Sequence, residues 1–338
     1  MLVFVPASCV SPTTRTASSS PSAGTLARSS SPEPASPPIA LAPPSAVPPT
    51  ESNGREDTLT LIDDPPPLDD TERRKFDVLC ALCPLAVEIT GGHAEVGCRT
   101  CFGDGQAPPD GKIQLNPERM YRAHQVVAGS FTAPGTSELA LPMEGCEPHS
   151  ANWGGLLIVK AGAPPTVAGY FSGVHPDRCE PYPRRDGTTL LVCARADGHQ
   201  GIGSDIVFTF DVARVTTDDP ESGFTTVIRT EDDTVSGCRG EASPATDVHQ
   251  ARVTGFSLRD VNGDHVDDLV VQVDYRRGKS GPKYLAACER FRGGLAADGG
   301  PPELDHPLGP GIHRSLKFLF DGVHFAATRE SAAIMADF

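Results

Sequence analysis

The clearest structural signal in this chain is the stretch Asp260–Val273, DVNGDHVDDLVVQV. Oxygen-bearing side chains stand at alternating positions, Asp260, Asn262 and Asp264, and Asp268 follows them at the head of an apolar run. Alternating apolar and polar residues are typical of a β-strand with one buried face. Asp and Asn are enriched in turns because their side chains hydrogen-bond the nearby backbone. The stretch therefore predicts an oxygen-rich hairpin loop that leads directly into a strand.

Two earlier stretches share this pattern. Ser130–Glu138 and Asp197–Asp205 both align with Asp260–Asp268 without a gap, and apolar residues follow each of them. The strand-like segments Gln125–Phe131 and Gln250–Phe256 lead into the first and third copies. Self-similarity at a regular spacing indicates a repeated supersecondary unit, in which neighbouring units bury each other's apolar faces.

Other segments also predict strands. Gly154–Lys160 and Ala168–Phe171 read as a strand pair, and Lys317–Phe325 reads as a closing hairpin around the Asp-Gly turn at Asp321. Helix is expected only in a short turn at Asn116–Glu118, where Asn stands at the cap and Pro at the first helical position. The sequence thus predicts a mainly β fold.

The pattern from Asp260 to Leu269 resembles the FG-GAP/VCBS repeats of integrin-like β-propellers, and Gly129–Gly135 resembles a degenerate copy. The resemblance covers about residues 120–335. It implies one blade-like β-sheet per repeat, with calcium in the hairpin loop. Such propellers usually have about seven repeats, whereas this chain has room for about four. A smaller propeller or an irregular β-repeat assembly of about three to four units is therefore expected.

The loop suits a calcium ion. Ca²⁺ takes about six to eight oxygen ligands in a flexible geometry. The side chains of Asp260, Asn262, Asp264 and Asp268 are the predicted ligands, together with the backbone carbonyl of Val266. Three crowded carboxylates would repel one another without a cation. The predicted ion is structural, since the two other copies have poor or impossible side-chain ligands at Ser130, Thr132, Pro134 and Gly201.

A turn without an ion is the alternative. In that case the loop is an Asx-rich turn whose carboxylates are solvated. An EF-hand is excluded, because Val271 stands where that motif needs a bidentate Glu. Gly263 permits a left-handed backbone in this loop. His265 stands where Gly is commoner, and His tolerates that backbone region at some cost.

Charge and composition restrict the function. The chain of 338 residues carries a formal net charge of −15, and its basic pairs Arg184-Arg185 and Arg276-Arg277 form no stripe. Binding to nucleic acid is not expected, since phosphate contacts need a basic face. Residues 10–72 are rich in Ser, Thr, Pro and Ala and end in an acidic run, which predicts a disordered linker.

Residues 1–9, MLVFVPASC, resemble the last part of a bacterial lipoprotein signal. The small residues Ala7 and Ser8 before Cys9 carry the resemblance, which implies lipidation of Cys9 as the one contact with a membrane. Pro6 stands where Leu is usual and a basic n-region is missing, so a chance apolar N-terminus is the alternative. A start placed too far downstream would account for both departures.

Cysteine usage indicates export. Nine cysteines remain besides Cys9, a density that is ordinary in exported proteins and unusual in cytosolic proteins without a metal. Because nine is odd, one thiol must be free or paired elsewhere. The expected location is the periplasm, the outer membrane, the cell surface or the medium.

Two CxxC motifs lie close together, with Cys80 and Cys83 in the first and Cys98 and Cys101 in the second. Their spacing approaches that of a four-cysteine zinc ribbon. In an oxidising compartment the same residues would form two disulfides that clamp a loop-rich segment, and export favours this alternative. A thioredoxin-like redox motif is disfavoured because no βαβ pattern surrounds them.

Further disulfide candidates are Cys179 with Cys193, across a hairpin, and Cys238 with Cys288. The expected organisation of the chain has four parts: a truncated signal-like segment, a linker, a Cys-rich segment and a β-repeat domain, at residues 1–9, 10–72, 73–115 and 116–338.

The leading functional hypothesis is a non-catalytic, exported cell-envelope protein that binds another protein or a glycan. No HExxH, P-loop, dinucleotide glycine fingerprint or Gly-x-Ser-x-Gly elbow occurs in the sequence, and no catalytic residue is predicted. One alternative is a hydrolase with a loop-built site, in which His149, His175 or His199 would meet carboxylates. Another is an intracellular zinc-ribbon adaptor, which requires free thiols in both CxxC motifs.

Overall fold

The computed structural model describes twelve segments of the chain: residues 2–3, 68–90, 93–99, 102, 120–144, 154–174, 176–199, 202–216, 220–232, 247–279, 281–292 and 308–336. Most of the predicted linker, the predicted turn Asn116–Glu118 and the side chains of Cys9, Cys101 and Cys238 lie outside these segments.

Within them the chain forms strands β1 (Leu2–Val3), β2 (Leu85–Thr90), β3 (His93–Cys98), β4 (Tyr121–Arg122), β5 (Val127–Gly129), β6 (Glu138–Met143), β7 (Gly155–Lys160), β8 (Thr166–Ser172), β9 (Arg178–Pro183), β10 (Thr189–His199), β11 (Ile202–Phe210), β12 (Phe224–Asp232), β13 (Asp247–Arg259), β14 (Asp268–Lys279), β15 (Ile312–Phe320) and β16 (Phe325–Ala327). The helices are α1 (Asp70–Leu79), α2 (Pro282–Arg292) and α3 (Arg329–Met335), and two short 3₁₀ turns span Val212–Arg214 and Pro220–Gly223.

Neighbouring strands are antiparallel and consecutive in the chain, so the sheets are meanders. One sheet contains β1–β4, a second contains β5–β8, and a third contains β9–β16. Among the described residues β12 and β13 share only one registered pair, Asp232 with Gln250, so the third sheet consists of two four-stranded meanders. The predicted mainly β fold is confirmed, and no described sheet closes into a barrel.

The second sheet packs on both of its faces. Leu141 and Leu157 belong to a core shared with β2 and β3, whereas Ala140 and Leu156 belong to a core shared with β10 and β11. Successive side chains of a strand point to opposite faces. Burial on both sides therefore explains why β6 and β7 are apolar at nearly every position.

The same alternation continues in β10. Leu191 and Cys193 pack towards β5–β8, whereas Leu190 and Val192 share a core with β13–β16. The four meanders therefore stack face to face in chain order, and each buries an apolar face that it could not bury alone. Burial of this kind is the dominant favourable contribution to folding.

Helix α1 begins inside the acidic run that the sequence assigned to the disordered linker. Asp69 caps it by accepting a hydrogen bond from the Glu72 backbone N–H at 2.9 Å, and acidic residues in a first turn are stabilised by the helix dipole. Glu72 is buried, pairs with Lys75 at 2.5 Å and accepts the Val96 N–H at 2.8 Å. Carboxylates that looked like solvated linker residues thus dock α1 onto β3.

Two other elements bear on the sequence expectations. Leu2–Val3, within the signal-like segment, pairs with β2 through Leu2 with Glu88 and Val3 with Val87. The strand pair β7–β8 and the hairpin β15–β16 lie where the sequence predicted them. At that hairpin Gly322 has a φ of 103°, which favours glycine.

Two disulfides occur among the described residues. Cys83 is bonded to Cys98 with 5.8 Å between their Cα atoms, and Cys179 is bonded to Cys193, its cross-strand neighbour, with 4.1 Å. Cys80 is also disulfide-bonded. For Cys83 and Cys98 the structure thus contains the disulfide alternative rather than zinc thiolates. Disulfides persist in oxidising compartments, so they indicate an extracytoplasmic environment.

Candidate functional site

The predicted ion loop connects β13 and β14 across residues 260–267. In an antiparallel meander every second hairpin lies at the same end of the sheet, so this loop shares one end with the β9–β10 and β15–β16 hairpins. Gly263 and His265 have φ values of 84° and 63°, so both adopt the left-handed backbone region. The candidate site is therefore a group of three hairpin loops at one end of the stack.

Asp260 organises the loop. One of its carboxylate oxygens accepts the N–H groups of Asn262 at 3.2 Å and Gly263 at 2.6 Å, and the other accepts the N–H of His265 at 2.9 Å. These bonds, led by the one from Gly263, lower the pKa of Asp260 below its ordinary value. They favour the charged form because they are made to the carboxylate.

The centre of the loop is a pair of polar turns. Asn262 accepts the Asp264 N–H at 2.9 Å and donates its side-chain amide to Asp264 at 3.0 Å. Asp264 in turn accepts the Val266 N–H at 2.8 Å. All three residues are at least partly exposed, so the loop holds its shape through local hydrogen bonds rather than through a core.

Asp268 closes the loop from a buried position. Its side chain is 1 % exposed, and its two oxygens accept the Val261 N–H at 3.2 Å and the Phe320 N–H at 3.0 Å. The second bond crosses to the β15–β16 hairpin. Asp268 thus fixes the two hairpins to each other, a role that the sequence pattern alone did not reveal.

The predicted ligands lie in one loop, but their oxygens are directed at backbone N–H groups. Within the described residues no three His, Cys, Asp or Glu side chains are grouped as a metal site would group them. Carboxylate and amide oxygens are the ligands that a hard cation prefers. A carboxylate has about four lone-pair positions, and backbone N–H groups occupy only some of them here. Calcium therefore stays a prediction, and the hydrogen-bonded turn describes the observed geometry.

The first copy, Ser130–Glu138, forms the β5–β6 hairpin. Where the third copy has predicted calcium ligands, this copy has groups that donate hydrogen bonds to Glu138. Glu138 is 1 % exposed and accepts the N–H groups of Phe131 at 2.7 Å and Thr132 at 2.8 Å. The hydroxyls of Thr132 and Thr136 also donate to it. Burial by itself would raise the pKa of Glu138, yet these bonds hold it below its ordinary value.

The segment aligned as the second copy, Asp197–Asp205, lies elsewhere in the fold. It includes the end of β10 and the start of β11, at the opposite end of the sheet from the β13–β14 loop. The hairpin equivalent to the other two is β9–β10, whose loop covers only residues 184–188. An alignment without gaps missed this hairpin because its loop is shorter.

A cleft of about 540 Å³ opens among the three hairpin loops. Its lining combines aromatic rings, two arginines and several carboxylates: Tyr182, Phe320, Arg184, Arg185, Asp186, Asp264, Asp267 and Asp321, with His265, Val266, Pro183 and Gly322 completing it. A second cavity of about 290 Å³, lined by Gln250, Arg252, Thr254, Asp274 and Arg276, lies on the face of β13 and β14.

One arginine of the cleft is fully committed to the fold. Arg184 makes a two-pronged ion pair with Asp211 at 2.7 and 3.0 Å and donates to the Thr188 hydroxyl at 2.9 Å. Both charged side chains are nearly buried, at 12 % and 7 % exposure. Arg184 therefore braces the β9–β10 hairpin against the β11–β12 connection and adds little free charge to the cleft.

Tyr182 lies at the base of the cleft. It is 3 % exposed, and its ring packs against Phe320 and Phe325 with centroids 4.6 and 5.2 Å away. Burial, together with the nearby charges of Asp267, Asp268 and Asp264, raises its pKa to about 12. The hydroxyl is thus neutral at physiological pH and lies within the field of the loop carboxylates.

The remaining candidate residues are dispersed. His149 and His175 lie outside the described segments, and His199 ends β10. Cys288 lies in α2, although its side chain is not among those described. Among the described helices, none combines the length and hydrophobicity needed to cross a membrane. Comparison with known proteins finds no matching family model, no similar curated protein and no similar solved structure.

Proposed function

We propose that this chain is an exported, non-catalytic binding protein whose β-meanders are the blades of a small propeller-like assembly. The stacking of four consecutive four-stranded meanders carries the proposal, since each shares its core with the next. Propellers are built from four-stranded antiparallel blades in this way. Binding surfaces on such scaffolds are formed by hairpin loops that a rigid framework positions.

The disulfides support the exported location. Lipidation at Cys9 follows removal of residues 1–8, and with them the edge strand β1 of the first sheet. The predicted linker would then hold the rest of the β domain away from the membrane. Intact mass spectrometry of the natively expressed protein tests this part. We expect a mass that includes an acyl modification on Cys9 and disulfides at Cys83–Cys98 and Cys179–Cys193. Free thiols with bound zinc would instead support the zinc-ribbon adaptor.

We further propose that the β13–β14 loop binds calcium as a structural ion. Its carboxylates retain unused acceptor positions, and the weak affinity of extracellular calcium sites, about 10⁻⁴ to 10⁻³ M, suits a stabilising ion. Millimolar calcium should raise the melting temperature, since a ligand that binds only the folded state stabilises it.

Asp260→Ala should abolish this calcium-dependent shift, measured by thermal unfolding with calcium and with a chelator. Asp77→Ala, at an exposed position of α1, is the matched control and should keep the shift. An identical melting temperature for the wild-type protein in calcium and in chelator would refute the calcium proposal.

A further inference from the structure

The charge of the cleft does not balance. Four aspartates line it, against Arg184 and Arg185. Arg184 is already neutralised by Asp211, and with Asp264 assigned to the proposed calcium ion, Asp186, Asp267 and Asp321 still outnumber Arg185. The carboxylates come from all three hairpins, with Asp186, Asp267 and Asp321 contributed by different loops. A cleft with this excess of negative charge attracts a cation.

Hydrogen-bonding capacity gives the same result. Asp321 uses one oxygen to accept the N–H groups of Val323 and His324. Within the described residues no hydrogen bond or ion pair is made to the carboxylate of Asp267. Since a carboxylate can accept about four hydrogen bonds, the cleft offers many acceptors and few donors. It is complementary to a group that carries several donors.

Tyr182 is an independent observation. Its side chain is almost completely buried, yet its hydroxyl has no hydrogen-bond partner among the described residues. The hydroxyl is open to solvent rather than sealed in the core, and it lies at the base of a cleft lined by Asp264 and Asp267. A donor group entering the cleft would satisfy the hydroxyl oxygen and the carboxylates together.

The aromatic base selects among cations. Phe320 packs against Tyr182 and, being only half-buried, presents aromatic surface to the cleft. A guanidinium stacks on such a ring while its five N–H groups reach several acceptors. An ammonium group is more strongly hydrated and presents only three donors. We propose that this cleft binds the guanidinium group of an arginine side chain presented by a partner protein.

This inference rests on the proposed binding function and names the chemistry of its partner. The test uses the full chain and a fluorescent peptide, acetyl-Gly-Arg-Gly-amide, titrated by fluorescence polarisation with and without calcium. The citrulline peptide, a neutral shape match, should bind at least about tenfold more weakly, and the lysine peptide should fall between them. Free agmatine should bind more weakly than the arginine peptide if the ligand belongs to a protein.

Variants locate the site. Asp267→Asn and Asp321→Asn each remove one charge but keep the shape, and each should weaken arginine-peptide binding by about five- to tenfold. Tyr182→Phe should weaken it by a smaller factor, since the ring remains. Asp77→Asn on α1, with the same change of charge at an exposed site, is the control and should leave binding unchanged.

Equal affinities for the arginine and citrulline peptides would overturn the inference. An equal loss of affinity for the arginine peptide in Asp267→Asn and Asp77→Asn would also overturn it. Tighter binding of agmatine than of the peptide would overturn the assignment to a partner protein. If the protein does not bind the arginine peptide but its melting temperature rises in calcium, only the proposal about the cleft is refuted. If the protein binds the peptide but its melting temperature does not change with calcium, only the proposal of a calcium site is refuted.

Discussion

Glu138 should be among the most sensitive single residues of the β5–β6 hairpin. Its carboxylate is buried, and one oxygen accepts the N–H groups of both Phe131 and Thr132. The two threonine hydroxyls have alternatives, since Thr132 is exposed and Thr136 also donates to the Ala133 carbonyl at 2.7 Å. Truncation therefore leaves chiefly two backbone donors unpaired.

The magnitude follows from those two donors. The buried Phe131 N–H costs about 1–3 kcal/mol when unpaired, and the N–H of exposed Thr132 costs less. Glu138→Ala should therefore destabilise the fold by about 2–4 kcal/mol. Glu138→Gln retains an oxygen that can accept both N–H groups and loses only the charge. A charge-assisted bond is worth about 1 kcal/mol more than a neutral one, so this variant should lose about 1–2 kcal/mol.

The assay is urea unfolding followed by far-UV circular dichroism at neutral pH, with the disulfides intact. The free energies are comparable only if the slope of the unfolding free energy against urea concentration is the same in each variant. Hydrogen exchange of the β5–β6 segment should show faster exchange at Phe131 and Thr132 in the alanine variant. Glu231→Ala, at an exposed position of β12, is the control and should stay within about 0.5 kcal/mol of the wild-type protein.

A pH series separates the charge from the shape. Because the folded-state pKa of Glu138 lies below its ordinary value of 4.5, its contribution is present above that pH and is lost as the pH falls through the lowered pKa. Glu138→Gln should therefore converge towards the wild-type stability in acid. A loss below about 1 kcal/mol for Glu138→Ala, or a Gln variant as unstable as the Ala variant, would refute the reasoning.

Three further changes test other parts of the structure. Replacing Cys179 and Cys193 by Ser opens a loop of sequence separation 14, and should cost about 3 kcal/mol by urea unfolding, while a loss near zero would contradict it. Arg184→Lys keeps the charge but loses the fork to Asp211, and should cost about 1–3 kcal/mol; equal stability would contradict the bracing role. Burial raises the pKa of Asp205, so its ionisation opposes folding. Asp205→Asn should therefore gain stability relative to the wild-type protein, measured by urea unfolding, as the pH rises through and above the ordinary Asp pKa of 3.8.

Local patterns made parts of this fold predictable. The β13–β14 loop, the β15–β16 hairpin and the cross-strand partners Cys179 and Cys193 all lie close together in sequence, so short-range turn and strand signals were sufficient. Helix α1 was missed because its capping residue, Asp69, stands in an acidic, proline-rich stretch whose composition resembles a linker. Nothing in the local pattern showed that Glu72 would be buried against β3.

The parts that were missed at the site depend on contacts between distant segments. The cleft joins three hairpins, and Tyr182 and Phe320 meet only because β9–β12 folds back on β13–β16. The β9–β10 hairpin also escaped detection, since it has neither the length nor the carboxylates of the motif. A search that allowed gaps and used the apolar run Leu190–Val192 as its anchor would have found it.

The hairpins β5–β6, β9–β10 and β13–β14 satisfy backbone N–H groups with different side chains. The second strand of each begins with a buried polar residue, Glu138, Thr189 or Asp268. Glu138 accepts from its own loop, Thr189 accepts the Ser130 N–H of the neighbouring meander at 3.0 Å, and Asp268 accepts from its own loop and from the next hairpin. An acceptor at this position is therefore needed to satisfy backbone N–H groups where hairpins meet, whether or not an ion is bound. It follows that a buried acidic residue there serves the hairpin, and that only the more accessible carboxylates, half-buried Asp260 and exposed Asp264, can report on calcium.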